Sequence, residues 1–145
     1  MKRIFLTLTV VFSLISMSSF ATEKVNPKVL EAFKSNFKTA TEVDWSVSKD
    51  LYKADFSLNG QYVAAYFDET GQLVALTRNI SSTQLPITLQ TSLKNDHEGF
   101  WISDLFEIAN EQGTSYYVTL ENADTKLVLK SEGTNWSHFQ KQRKS

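Results

Sequence analysis

The sequence predicts an α+β fold: two αβ repeats of three to four strands each, forming an antiparallel sheet with the helices on one face and the other face open. Three observations carry that expectation. Leu51 to Leu76, LYKADFSLNGQYVAAYFDETGQLVAL, alternates apolar and polar side chains, the period-two pattern of half-buried strands. Asn59-Gly60 interrupts it with the two residues that best tolerate the positive φ of a tight hairpin. The same order of helix and strands then returns at an offset of about 60 residues, which reads as duplication.

The first element is an export signal. Met1-Lys2-Arg3 is a positive start, Ile4 to Met17 an apolar run broken by Thr and Ser, and Ser19-Phe20-Ala21 places small residues at the −3 and −1 positions, so residues 1–21 read as a signal peptide cleaved after Ala21. The apolar run falls short of the ~20 residues that span a bilayer, and no later segment is apolar enough to do so. The remainder reads as one domain, 22–140, of two repeats (26–80 and 81–140), with a basic tail at 141–145. The whole chain has 15 basic and 16 acidic residues; loss of Lys2 and Arg3 leaves 13 against 16, a net charge of −3. A nucleic-acid binder would show a basic stripe. Cysteine is absent, which removes disulfides, a thiol nucleophile and a lipidated cysteine.

Thr22 to Val25 reads as a loose leader. Asn26-Pro27 then opens a helix, Asn as N-cap and Pro where its missing N–H costs nothing, and Val29, Leu30, Phe33 and Phe37 share a stripe that must lie on a sheet. Thr41 to Val47 is the first strand, Val43, Trp45 and Val47 alternating with Glu42, Asp44 and Ser46. Tyr52 to Leu58, Tyr62 to Phe67 and Leu73 to Thr77 form a meander, with Gly71 in the left-handed position of the second turn. In the second half, Leu85-Pro86 with Leu89 and Leu93 answers the first helix, and Ile102 to Ile108 answers the Trp45 strand. Tyr116 to Leu120 and Lys126 to Lys130 answer the next two strands, and Glu132-Gly133 the turn at Gly71.

The pattern of Pro27 followed by Val29 or Leu30 and then Phe33, Ala40-x-x-Val43-x-Trp45, Tyr52-x-Ala54-x-Phe56, Phe67-Asp68-x-x-Gly71-x-Leu73 and a later Leu85-Pro86 helix resembles the PepSY-like family of exported, beta-lactamase-inhibitor-like bacterial proteins. The likeness runs from Val25 to about Trp136 and is one of packing residues. Ser131-Glu132-Gly133 departs from the Asp-x-x-Gly turn, and 110–114 reads as an insertion. The resemblance implies a periplasmic or secreted protein with an open sheet face; inhibition is suggested by the family's name alone.

Catalytic and metal chemistry find no motif. His97 and His138 lack the spacing of a zinc site, no serine sits in a Gly-x-Ser-x-Gly turn, and Asp68-Glu69-Thr70-Gly71 lacks the alternating ligands of a calcium loop. No cofactor, metal or catalytic residue is expected. Alternation instead places Lys53, Asp55, Tyr62, Tyr66, Tyr117, Thr119, Lys126, Val128 and Lys130 on the face away from the helices. Tyrosine offers a protein partner large contact area at low entropy cost, so Tyr62, Tyr66, Tyr117, Lys53, Lys126 and Lys130 are the candidate partner-binding set. The expected function is an exported, non-enzymatic binding or inhibitor-like module for a protein or peptide. The alternative is a periplasmic small-ligand-binding or envelope-sensing protein, with a pocket lined by Trp45, Phe56 or Trp101.

Overall fold

The computed structural model describes residues 18–20 and 24–145. Apart from 18–20, the expected signal peptide lies outside the described residues. The elements are β1 (Ser18–Phe20), α1 (Pro27–Asn36), β2 (Thr41–Ser48), β3 (Leu51–Leu58), β4 (Gln61–Asp68), β5 (Leu73–Asn79), α2 (Ile87–Asp96), β6 (Trp101–Asn110), β7 (Gly113–Glu121), β8 (Thr125–Glu132) and β9 (Asn135–Arg143). All nine strands join one sheet in sequential order, every neighbouring pair antiparallel.

This corrects the expected class. The fold is mainly β: two ten-residue helices are laid on one continuous sheet, in place of an α+β pair of αβ repeats. The sequence misleads because the helical stripes are conspicuous while the strands are longer than their clean alternation. β6 runs ten residues and β9 nine, and much of β9 is polar.

Local chemistry sets the elements. The Asn26 side chain accepts from the Lys28 amide at 2.9 Å and Pro27 follows it, so α1 starts where an N-cap and a proline meet. Asn59 and Gly60 take φ of 52° and 80°, the double positive φ of a hairpin turn whose twist matches its strands. Residues 110–114, expected as an insertion, form an equally tight hairpin: Asn110 pairs with Gly113, and the Asn110 side chain accepts from the Gln112 amide at 2.9 Å.

Register fixes the faces. Ala65 opposes Leu76, which opposes Ala109; four residues along β6, on the same face, Leu105 opposes Val118. Val29 and Phe33 of α1 pack with Trp45, Ala54, Phe56, Val63, Ala65 and Phe67. Leu85, at the approach to α2, joins Leu89 and Leu93 in packing with Leu105, Val118, Leu120, Leu127 and Leu129. Both helices therefore sit on one face. Val25, expected in a loose leader, is buried in the first cluster. Of the expected basic tail, Lys141 and Arg143 lie in β9, while the Lys144 ammonium donates to Glu121 at 2.9 Å and to the Asn122 carbonyl at 2.8 Å.

Candidate binding face

The opposite face is read from the same register. Lys53 faces Tyr66, which faces Ala75. Asp55 faces Ala64, then Thr77, Ile108 and Ser115 across successive strands. Asn79 faces Phe106, then Tyr117 and Lys130. Thr119 faces Val128, Glu121 faces Lys126, and Tyr62 faces Ser57. All six candidate residues thus belong to this face, though not to one cluster.

Tyr117 and Lys130 are brought together. The Tyr117 ring stacks on Phe106 with centroids 5.3 Å apart and planes 3° from parallel, meets Phe139 edge-on at 5.4 Å, and has the Lys130 ammonium 5.8 Å from its centre. Such ring pairs contribute about 0.5–1.5 kcal/mol beyond area burial. Tyr117 is only 5% exposed, so it is a packed centre and not the solvent-facing anchor the alternation suggested; period two assigns a side, not a depth. Tyr66 packs against the same apolar group of Ala75, Ile108, Tyr117 and Val128. Burial raises its phenol above the ordinary tyrosine range, with Asp55 acting the same way and Lys53 and Thr77 opposing.

Tyr62 stands apart, 75% exposed next to the β3–β4 turn. The lysines form a rim. Lys53 pairs with Asp55 at 2.9 Å. Lys126 lies 3.9 Å from Glu121, a carboxylate also held by Lys144 at 2.9 Å. The hydrogen bond from Lys144 is the main reason that carboxyl sits below its usual range. Phe106, Ile108 and Phe139 were not among the candidates. Leu105-Phe106-Glu107-Ile108 carried the signal for the first two: apolar residues at both parities of one strand mean that both faces need cover.

The residues named for an interior pocket do not share one. Trp45 and Phe56 are buried in the cluster beneath α1, whereas Trp101 is half exposed on β6 with the Lys144 ammonium 5.0 Å from its ring. His97 caps the end of α2. Its pKa is lowered, first by burial and then by His138, with Asp96 opposing. Among the described residues no three His, Cys, Asp or Glu side chains are placed to hold a metal ion, and no helix is long and apolar enough to cross a membrane.

No family model and no curated protein matches the chain. Solved structures do. A BLIP-like protein from Bacteroides fragilis shares the fold with a TM-score of 0.66 at 20% identity, over 80% of this chain and 84% of that one. A DUF2874 family protein from Bacteroides uniformis superposes with a TM-score of 0.72 at 20% identity, over 81% and 88%. A protein from Bacteroides eggerthii, described as a proposed periplasmic protein, gives 0.71 at 16% identity, over 81% and 87%. At these identities the likeness is one of fold, and it is BLIP-like without pointing specifically to the PepSY-like family.

Proposed function

We propose that the chain is an exported, periplasmic, non-enzymatic binding module that holds a protein or peptide partner on the sheet face opposite its helices. The observation that carries this reading is the composition of that face: the partly exposed rings of Tyr66 and Phe106 over a buried floor of Ile108, Tyr117 and Val128, bordered by Lys53, Lys126 and Lys130. Apolar centre and polar border is the anatomy of a protein interface. The BLIP-like and proposed periplasmic neighbours support it through shared fold. Cleavage after Ala21 and the PepSY-like resemblance of Val25 to Trp136 belong to the same reading.

The test compares faces. The processed chain is used to capture partners from periplasmic extract, and affinity for the recovered partner is then measured for two variants. Tyr66→Ser with Lys126→Glu and Lys130→Glu alters the sheet face; Lys28→Glu with Lys34→Glu alters the outer side of α1. Interface anchors commonly cost about 2 kcal/mol when truncated, roughly thirtyfold in affinity. The expected result is a loss of at least that size from the first variant and none from the second. Equal affinity for all three proteins, or loss only from the α1 variant, would move the site elsewhere.

A further inference from the structure

The sheet ends at β1 and β9, and the short β1 covers part of β2: Ser18 pairs with Val47, Ser19 with Ser46 and Phe20 with Trp45. Those three residues belong to the segment that cleavage after Ala21 removes. The rest of the β2 edge is blunted in another way. The β2–β3 register slips between Thr41 and Asp44 and Glu42 takes a φ of 54°, a bulge of the kind that turns an edge away from further pairing. The stretch from Asp44 to Ser48 keeps a regular register and is able to accept another strand.

We propose that processing uncovers this stretch and that the mature protein uses it to pair β2 with β2 of a second copy, antiparallel about a twofold axis at Ser46. The register that β1 already shows points to that occupant. It sets a serine opposite Ser46 and an apolar residue opposite Trp45. A second copy of β2, read antiparallel, does the same at those two positions, Ser46 meeting its own counterpart and Trp45 meeting Val47, and sets Trp45 opposite Val47 where β1 sets Ser18. Asp44 falls opposite Ser48, so no two like charges are opposed, which in a ladder would destabilise. A twofold contact must be self-complementary, and this one is. A head-to-tail arrangement of β2 on β9 would leave new edges and grow without closing.

Sedimentation of the processed protein, purified from an exporting host, over a range of concentrations decides the matter. The expected result is a monomer that doubles in mass as concentration rises, while the unprocessed chain, which keeps β1, stays monomeric under the same conditions. Ser46→Lys opposes two ammonium groups at the axis and abolishes the dimer with the thermal melt retained. Mixing the Ser46→Lys and Ser46→Glu proteins restores a dimer that neither forms as well alone. A processed protein that remains monomeric, a dimer indifferent to Ser46→Lys, or open-ended oligomers in place of a closed dimer would each overturn the proposal.

Discussion

The two halves of the helix-bearing face do the same work with different materials. Under α1 the core is aromatic: the Phe33 ring lies 5.4 Å from Phe37, 5.2 Å from Trp45 and 5.0 Å from Phe56. Under α2 the core is built from leucines and Val118. The helices are also fastened differently. The turn between β4 and β5 docks on the first turn of α1, with the Asn26 side-chain amide donating to the Glu69 carbonyl at 3.1 Å and Gly71 so close that a Cβ would stand 2.8 Å from the Lys28 carbonyl oxygen. The corresponding Gly133 has nothing within 4 Å, and α2 is instead held by the Trp136 indole, which donates to the Leu89 carbonyl at 3.0 Å. A helix can be positioned by close backbone approach or by one large side chain, and only the first demands a glycine for lack of room.

The largest effect tests whether the two cores are one cooperative unit. Phe56→Ala should cost about 3–5 kcal/mol and Leu129→Ala about 2–5 kcal/mol, both read from a single denaturant transition because β5 and β6 join the halves into one sheet. That junction has only four paired positions, reinforced by Arg78 on Glu107 at 2.9 Å and Asn79 on Asp104 at 2.9 Å. Two separate transitions in either variant would mean that the halves melt independently.

A smaller contrast lies in the two glycines. At Gly133, with φ of 62° and open space, alanine should cost about 1–2 kcal/mol, the usual penalty of left-handed backbone. At Gly71, with φ of 88° and the Lys28 carbonyl in the way, a further ~1–3 kcal/mol of overpacking is added. Thermal melts giving equal losses at the two positions would show that the turn does not bear on α1.

The smallest effect is a pH dependence confined to the first of those turns. The Asp68 carboxylate accepts from the Thr70 hydroxyl at 2.6 Å, the Thr70 amide at 2.9 Å and the Gln72 amide at 3.0 Å. Burial alone would raise its pKa, but these bonds, joined by one from Gly71, together outweigh it and lower the pKa below its ordinary value. A carboxyl with a depressed folded-state pKa adds stability above its unfolded value, near 4, and loses it as pH falls through the folded one. Wild type should therefore exceed Asp68→Asn in stability at neutral pH, with the gap closing in urea melts taken toward pH 2. A gap that is constant with pH would remove ionisation from the account.

How much the sequence disclosed depends on where each signal resides. β3, β4 and the start of β5 are legible because their large apolar residues repeat at period two and Asn59-Gly60 marks the β3–β4 hairpin; both helices are legible through their stripes. The balance of the fold is not, because β9 is an edge strand whose only ladder partner among the described strands is β8, and Gln140, Lys141 and Gln142 satisfy pairing without any apolar period. At the candidate face, parity placed Lys53, Tyr62, Tyr66, Tyr117, Lys126 and Lys130 on the right side. It could not show that Tyr117 is sunk between Phe106 and Phe139, or that Tyr62 lies off the cluster, since both depend on distances across strands that no single stretch of sequence contains.

The sequential strand order bears on how the chain acquires its shape. Each strand pairs with the one made just before it, so most pairings close through a short turn, at little entropic expense. Only two of the joins between neighbouring strands wait for a helix to intervene, β1 to β2 and β5 to β6. A polypeptide that emerges amino end first presents β3, β4 and β5 while the carboxyl half is still to come. Each arriving strand then finds its template already laid down and adds to it, and the β9 edge, bearing Lys141 and Arg143, is the last to form and the one that stays open.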